Sequence, residues 1–275
     1  MSVIAVPHLR KNLQLYVYHR PVPGVTKVAY YVRKSRPGVV ALTYDDGPSK
    51  FTPKLLQTLK SKGIKATFFV LGVSIKKDGG VNTLKAVYDA GHQIALHTNT
   101  HPHLNTLSQA DQIAEMKQDQ QNVYDAIGVT PFYMRPPFGE CADVCRKTMQ
   151  SLNYTIVLWN IDSNDWRLGP EPGNKQPQTT IHFTNIYGPI SRANPKTDSF
   201  IILQHDTDET SVNIAPNVID AIKDKGFTFD TVAGCIGNNP PPNENTNTSS
   251  IGNPSTATNH ISSASSLIKD SITPA

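Results

Sequence analysis

The stretch Ala41-Leu-Thr-Tyr-Asp-Asp-Gly-Pro48 decides where the fold begins and where its chemistry lies. The apolar, β-branched run from Val39 to Tyr44 predicts a buried strand, which the closing Gly-Pro pair ends and turns. The adjacent Asp45 and Asp46 repel each other unless a positive group lies beside them. Two interpretations therefore stay open from these residues alone. Both carboxylates are solvated in a surface turn, or one binds a metal ion and the other transfers a proton.

Length and composition favour one large domain. The chain has 275 residues, of which 38% are hydrophobic and 17% charged, enough for a sizeable core. The net charge of +4 is not clustered and no basic stripe alternates with aromatic residues, so we expect no nucleic-acid partner. No apolar run approaches the length of a membrane span. No signal peptide is visible, because the apolar start from Met1 to Pro7 is too short.

Strand-like and helix-like segments alternate from Val39 onward, which is typical of βαβ units with a parallel sheet. Strands are predicted at Val39–Tyr44, Ala66–Leu71, Gln93–Leu96, Pro131–Met134, Tyr154–Trp159, Phe200–Gln204 and Phe227–Thr231. Helices are predicted at Thr52–Lys62, Val81–Ala90, Ser108–Ile127, Ala142–Leu152, Thr179–Ile190 and Val212–Lys225. Six or seven βα units over about 200 residues indicate an α/β fold with a closed or nearly closed barrel.

The two ends of the chain differ in composition from the segment between them. Residues 1–36 are mixed, with a candidate edge strand at Val28–Val32, and we interpret them as an N-terminal extension. Residues 238–275 are rich in Asn, Ser, Thr and Pro and carry little aromatic or β-branched mass. Such a segment cannot bury enough apolar surface to offset the entropy lost on ordering, so we expect a disordered tail.

Chemically useful side chains follow five of the predicted strands. The C-terminal ends of barrel strands open on one face, where active sites lie, so these side chains are expected to meet. In chain order they are Asp45 and Asp46; His97 and His101; Arg135; Asp162, Asp165 and Trp166; and His205 and Asp206.

The histidine pair is the candidate metal-binding element. His97 and His101 are four residues apart, so on a helical turn both imidazoles would lie on one side. The spacing alone is a weak signal. With a carboxylate from the first strand it becomes a His₂Asp set, three ligands with an open position, which is the pattern of a catalytic zinc site. We assign Asp46 to this set, which leaves Asp45 facing the substrate as the base.

Arg135, His205 and Trp166 complete the candidate site. A guanidinium beside a carboxylate keeps it ionised, so Arg135 is predicted to orient Asp45; an arginine on a loop rim is the alternative. His205 follows a strand, where a carboxylate such as Asp165 would raise its pKa; a satisfied core histidine is the alternative. Trp166 follows two acids in a loop and is expected to line a groove.

The three cysteines allow one disulfide bond. Cys141 and Cys145 are four residues apart, which on one helical turn brings their Cα atoms within disulfide range. Cys235 has no evident mate, and an odd thiol argues against a fully oxidised fold. Three small buried hydrophobic residues are the alternative interpretation.

Five spaced motifs together carry a family resemblance. They are Thr43-Tyr-Asp-Asp-Gly-Pro48, His97-x₃-His101, Arg135-Pro-Pro-Phe138, Asp162-x-x-Asp165-Trp166 and Leu203-x-His205. The set resembles the NodB-type polysaccharide deacetylases, carbohydrate esterase family four, over residues 37–237. His101-Pro-His-Leu104 and Cys141-x₃-Cys145 are most similar to the fungal chitin deacetylase branch of that family.

The resemblance implies a distorted (β/α)7-8 TIM-like barrel, a single domain in which residues 37–237 form the catalytic, NodB-homology unit. It implies a hydrolase that removes N-acetyl groups from N-acetylglucosamine polymers, chitin or chitin oligomers first, and releases acetate. The implied cofactor is Zn²⁺, with Co²⁺ or Mn²⁺ as substitutes. The implied partner is a polysaccharide, the implied location is extracellular or the cell wall, and we expect a monomer.

The resemblance also assigns roles to single residues. The metal ligands would be Asp46, His97 and His101, the base Asp45 with Arg135 as its partner, the acid His205 with Asp165 as its partner, and the oxyanion donor the backbone N–H of Phe138. The substrate contacts would be Tyr44, Pro137, Phe138, Trp166 and Leu203. Three residues depart from the family pattern: Tyr44 replaces a Phe, Phe138 replaces a Tyr, and Asn99 lies where the fungal branch has an aromatic residue.

Other functions stay open at this point. Peptidoglycan and acetylxylan are alternative substrates for the same chemistry, and an inactive carbohydrate-binding protein is the alternative of another class. A serine esterase is disfavoured because the sequence has no G-x-S-x-G motif. The fungal branch often ties a cysteine before the first motif to one near Cys235, and Ser35, Arg36 and Pro37 offer no such thiol.

Overall fold

A strand followed by a helix is the unit that the chain repeats. The structure is a computed structural model that describes residues 35–167 and 177–237. Its strands are β1 (Val39–Asp45), β2 (Thr67–Val70), β3 (Gln93–Leu96), β4 (Tyr133–Met134), β5 (Thr155–Ile156), β6 (Ile161–Asp162), β7 (Phe200–His205) and β8 (Thr228–Phe229). Its helices are α1 (Thr52–Ser61), α2 (Gly72–Ile75), α3 (Gly80–Asp89), α4 (Gln109–Ile127), α5 (Asp143–Ser151), α6 (Gln178–Ser191), α7 (Glu209–Asp224) and α8 (Val232–Cys235).

Some predictions lie outside the described residues. These are the edge strand at Val28–Val32, most of the N-terminal extension and the tail at 238–275. Within the described residues, no helix combines the length and the apolar character that crossing a membrane requires.

All strand pairs are parallel, as the alternation of segments predicts. The order across the sheet is β5-β4-β3-β2-β1-β7-β6, and β8 pairs with the start of β1. Because parallel strands end at the same edge, this order brings the residues after β4, β3, β1, β7 and β6 to one edge of the curled sheet. The predicted α/β barrel is therefore confirmed as a curled, parallel half-barrel with helices around it.

The predicted strand at Tyr154–Trp159 is wrong in its bounds, because the segment changes neighbours halfway. The N–H of Val157 donates to the carbonyl of Met134 at 2.8 Å, on the β4 side. The N–H of Asn160 donates to the carbonyl of Ile201 at 3.1 Å, on the β7 side. One kinked segment thus forms the two short strands β5 and β6 and bridges the two edges of the sheet.

Two hydrophobic cores lie on opposite faces of the sheet, because alternate side chains of a strand point to opposite faces. In β1, Val40, Leu42 and Tyr44 pack in the outer core against the helices. The inner core is Val39, Ala41, Phe69, Ala95, Val157, Ile201, Val232, Cys235 and Ile236. The next inward position of β1 after Thr43 is Asp45, so the same alternation turns this carboxylate into the barrel.

The cysteines and the long helix follow their predictions. Cys141 and Cys145 form a disulfide bond with their Cα atoms 5.1 Å apart, and Cys235 is a buried free thiol. The Oγ of Ser108 accepts a hydrogen bond from the N–H of Asp111 and caps α4. The four-residue helices α2 and α8 were not predicted, because so short a segment shows no helical period.

Candidate active site

Asp46, His97 and His101 meet at the open edge of the sheet. Asp46 Oδ1 lies 3.4 Å from His97 Nε2 and 3.6 Å from His101 Nε2. The three candidate ligand atoms all lie within 4.8 Å of one another. Two imidazole nitrogens and one carboxylate oxygen at such separations can converge on a single cation.

The two histidines converge through an irregular loop rather than through a helical turn. Residues 97–101 contain no helix. Instead Thr98 and His101 adopt left-handed backbone conformations, with φ of 75° and 63°. The third candidate ligand, Asp46, is also left-handed, with φ of 74°. Non-glycine residues rarely take this conformation, and such strain concentrates at functional sites.

The three side chains fit a divalent cation in their chemistry as well as their spacing. Asp46 Oδ1 is buried and has no hydrogen-bond partner among the described residues, which is costly without a ligand. His97 Nδ1 lies 2.7 Å from the carbonyl of Arg135, so it holds the proton and leaves the Nε2 lone pair free toward Asp46. Burial lowers the pKa of His97 to about 3, which keeps the imidazole neutral, as metal ligation requires.

Asp45 lies in the barrel interior beside a buried guanidinium. Its side chain is 3% exposed, which excludes a solvated surface turn. Arg135 Nη1 donates to Asp45 Oδ1 at 2.7 Å and also to the Oγ1 of Thr43 at 2.7 Å. The guanidinium lies 4.1 Å from the ring centre of Phe69 and is fully buried. The loop-rim alternative for Arg135 is therefore wrong.

Two opposing effects act on the Asp45 carboxyl. Burial raises its pKa, because a charged carboxylate loses water there, while the charge and the hydrogen bond of Arg135 lower it. The net direction is upward. His97 Nε2 lies 3.8 Å from Asp45 Oδ2, so the second carboxylate oxygen faces the candidate cation site.

His205 lies across the site from Arg135, at the end of β7 in register with Asp45. Its Nδ1 lies 2.6 Å from Asp165 Oδ1, and its backbone N–H donates to Asp165 Oδ2 at 2.7 Å. Burial alone would lower the pKa of His205. The hydrogen bond and charge of Asp165 outweigh burial and raise that pKa to about 9, so the ring is cationic at neutral pH.

Phe138 forms one rim of the site. It is left-handed, with φ of 59°, and its backbone N–H makes no hydrogen bond within the described part of the chain. Its ring is 52% exposed and stacks on His103 with the ring centres 3.9 Å apart. Pro137 is buried behind it, and Leu203, two residues before His205, is buried on the inner face of β7.

Trp166 forms another part of the rim. Its ring is 53% exposed, and its Nε1 donates to Asp162 Oδ1 at 3.3 Å. The guanidinium of Arg167 lies 4.9 Å from the ring centre. Burial raises the pKa of Asp162, which also accepts the N–H of Asn164 at 2.7 Å.

Two side chains within the family motifs turn toward the surrounding helices. Tyr44 is wrong as a substrate contact, because the alternation of β1 turns it into the outer core, where its ring centre lies 5.5 Å from that of Phe68. Asn99, at the departure from the family pattern, turns inward and accepts a hydrogen bond from Asn122 Nδ2 at 3.1 Å.

Sequence reasoning missed the polar groups on α4 that hold the histidine loop. Asp119 Oδ2 accepts the N–H of His97 at 3.0 Å, and Glu115 Oε2 accepts the N–H of Thr100 at 2.8 Å. The available signal was a carboxylate at a core-facing position of the helix, because Asp119 falls between the buried Met116 and Val123.

Comparison with known proteins places this geometry in context. A family profile described as polysaccharide deacetylase matches residues 33–157. A chitin deacetylase of Colletotrichum lindemuthianum is 36% identical over 225 residues, 80% of this chain and 87% of that protein. Its solved structure superimposes with a TM-score of 0.71 at 35% identity and covers 78% of this chain and 95% of that one.

Two further proteins are similar to this chain. A peptidoglycan-N-acetylglucosamine deacetylase of Bacillus cereus is 32% identical over 195 residues, 70% of this chain and 68% of that protein. A structure described as a CE4 family pseudoenzyme from Bacillus anthracis has a TM-score of 0.64 at 21% identity, covers 74% of this chain and 67% of that one, and shares the fold. The identity and coverage of the Colletotrichum and Bacillus cereus proteins show that the chain belongs to the polysaccharide deacetylases of the NodB type, carbohydrate esterase family four.

Proposed function

We propose that the protein is a Zn²⁺-dependent deacetylase that removes N-acetyl groups from N-acetylglucosamine polymers, chitin or chitin oligomers first. One observation carries the proposal. The Arg135-paired Asp45 adjoins the trio of Asp46, His97 and His101, and the cationic His205 lies in register with Asp45 at the end of the neighbouring strand β7. A base, a cation site and an acid thus surround one point at which an acetyl group can react.

Asp46, His97 and His101 would hold the cation. Two neutral imidazoles and one carboxylate suit Zn²⁺, and Co²⁺ or Mn²⁺ would substitute. A cation held there supplies Lewis acidity, which acidifies water and polarises the acetyl carbonyl.

Asp45 acts as the base. It removes a proton from the attacking water while the oxygen of that water forms a bond to the acetyl carbon. Its raised pKa makes it a better proton acceptor than an ordinary carboxylate. Arg135 fixes its orientation and keeps it ionised until the proton arrives.

Phe138 and His205 act on the acetyl oxygen and on the leaving nitrogen, respectively. The unpaired backbone N–H of Phe138 donates to the oxygen that becomes negative as the tetrahedral intermediate forms. His205 gives its proton to the leaving nitrogen as the carbon–nitrogen bond breaks. The products are acetate and the free amine of the sugar.

The choice of chitin rests on the relatives and on the rim of the site. The Colletotrichum relative is named a chitin deacetylase, and the exposed rings of Phe138 and Trp166 offer flat apolar surfaces to a sugar. Peptidoglycan is the second candidate, since the Bacillus cereus relative is named for it. We further propose residues 37–237 as the catalytic unit of a monomer and an extracellular or cell-wall location, by analogy with the family.

Metal removal is expected to abolish acetate release. We expect chelator-treated protein to lose at least about a hundredfold in activity on chitin oligomers, because Lewis acidity supplies several kcal/mol of stabilisation. Added Zn²⁺ or Co²⁺ should restore it. Acetate is measured on chitin oligomers, peptidoglycan and acetylxylan in parallel. Chitin-oligomer binding without acetate release would instead indicate an inactive carbohydrate-binding protein.

The Asp165→Asn variant is expected to move the alkaline limb of the pH profile. His205 must be protonated to act, so activity of the parent should fall as pH rises through about 9. Without the charge of Asp165, burial dominates and the pKa of His205 drops, so the fall should occur at lower pH. The measurement is kcat/KM between pH 6 and about 10. An alkaline limb at the same pH in both proteins would contradict the pairing.

A further inference from the structure

Three polar side chains on one face of α4 brace the loop that carries the two histidines. Glu115, Asp119 and Asn122 are spaced by four and three residues, which places them on one side of the helix. We call these three residues the α4 brace. Together they contact residues at positions 97, 99 and 100 of the loop, so nearly every residue between the histidines is tied to one helix.

The outer members of the brace hold the middle of the loop. Glu115 accepts both the N–H and the Oγ1–H of Thr100, each at 2.8 Å. Asn122 Nδ2 donates to Asn99 Oδ1 at 3.1 Å, and Gln118 Nε2 donates to Asn122 Oδ1 at 3.0 Å. These bonds oppose the tendency of a loop with two left-handed residues to relax.

Asp119 is the member that touches a candidate ligand residue. It is fully buried, and its Oδ2 accepts the N–H of His97 at 3.0 Å, sharing it with the carbonyl of Val70 on β2, which accepts at 2.9 Å. The imidazole of the same residue is fixed on its other side by the carbonyl of Arg135 at 2.7 Å. The backbone and the ring of His97 are thus held by separate partners.

A carboxylate is an expensive residue for this position. Met116 and Val123, its neighbours on the buried side of α4, pack in the outer core. An apolar side chain at 119 would avoid the cost of removing a carboxylate from water. The hydrogen bond to His97 is therefore the feature of Asp119 that calls for a role beyond packing.

We propose that Asp119 is a positioning residue that fixes the backbone of His97 and preorganises the ligand set before the cation binds. The inference rests on the metal site of the proposed function. Without the bond, the start of the loop at His97 is held less firmly before the cation binds, and the ordering that the cation must then supply weakens binding. Loss of a partner that orients a metal ligand typically lowers affinity about 10–100-fold.

The test compares metal affinity in the full-length parent and four variants. Asp119→Ala removes the carboxylate acceptor and leaves only the Val70 carbonyl for the His97 amide, and Asp119→Leu does the same while filling the space with an apolar side chain. Asp119→Asn keeps a carbonyl oxygen for the N–H of His97. Met116→Ala is the matched control, because it damages the outer core on the same helix. Zn²⁺ affinity is measured by competition with a chelating dye, which requires no turnover.

We expect about a 10–100-fold loss of Zn²⁺ affinity in Asp119→Ala and Asp119→Leu. Asp119→Asn should recover most of it, and Met116→Ala should lower stability with affinity unchanged. Hydrogen exchange of the His97 amide in the metal-free protein should be faster in Asp119→Leu than in the parent, because the amide loses one of its two acceptors and keeps only the carbonyl of Val70 at 2.9 Å.

Two results would overturn the inference. One is parental Zn²⁺ affinity in folded Asp119→Leu or Asp119→Ala, and the other is an equal loss of affinity in Met116→Ala. If the parent itself binds no Zn²⁺, the proposed metal site is wrong. If the parent and the Asp119 variants bind Zn²⁺ equally tightly, the metal site stands and only the role of Asp119 is wrong.

Discussion

Replacing Asp45 by asparagine is expected to lower turnover on chitin oligomers about a thousandfold while the bound metal remains. General base catalysis contributes about 10²–10⁴-fold, and an amide cannot accept the proton of the attacking water. The ligand set of Asp46, His97 and His101 is untouched, so metal content should equal that of the parent. Turnover is measured as acetate released, and metal content by elemental analysis of the purified protein.

The same substitution also removes the counter-charge of a buried guanidinium. Arg135 is fully buried, and breaking a buried pair from one side costs about 3–5 kcal/mol of stability. Activity must therefore be normalised to the folded fraction measured by circular dichroism. Asp220→Asn is the matched control, because it makes the same chemical change in a surface ion pair with Lys62. Parental turnover in folded Asp45→Asn would refute the base assignment.

Replacing His205 by glutamine is expected to lower the rate of amide hydrolysis much more than the rate of ester hydrolysis. An amine leaves only with a proton, so deacetylation of chitin oligomers should fall about a thousandfold without the acid. The leaving group of an aryl acetate ester departs unprotonated, so its hydrolysis should fall less than about tenfold. The ratio of the two rates is the measurement, and the ester serves as an internal control for folding and metal binding.

Equal losses on both substrates would contradict proton donation by His205. They would indicate instead that the ring contributes to binding or to the shape of the site. Because Asp165 also bonds the backbone N–H of His205, the variant keeps one contact that positions the end of β7.

Local sequence patterns predicted the frame of this site well. The apolar run at Val39 predicted β1 correctly to within one residue, and the bounds of β3 were correct. Parallel pairing then brings the predicted strand-end residues to one edge, since Asp45 and His205 lie in register. The positions of the strands and the meeting of the residues at their ends could therefore be predicted, because both follow from the alternation of side chains along a strand and from the parallel direction of the strands.

The errors arose where tertiary contacts override local pattern. Tyr44 belongs to a motif, and the motif does not reveal that the strand alternation turns it away from Asp45. The loop between His97 and His101 has helical spacing, but the bonds from Glu115 and Asp119 hold it in another conformation. Partners on a distant helix cannot be read from the loop itself.

The left-handed residues around the site restrict which substitutions could stabilise the fold during evolution. Asp46, Thr98, His101, Phe138 and Asn164 all have positive φ without being glycine. Each such residue costs about 1–3 kcal/mol, and glycine would relieve that cost. Asp46 and His101 are proposed ligands, so replacement by glycine would remove a ligand of the cation. At Thr98, glycine would also remove the Oγ1 that accepts the N–H of His101 at 3.1 Å, so relief of the backbone strain there would loosen the loop that carries both histidines.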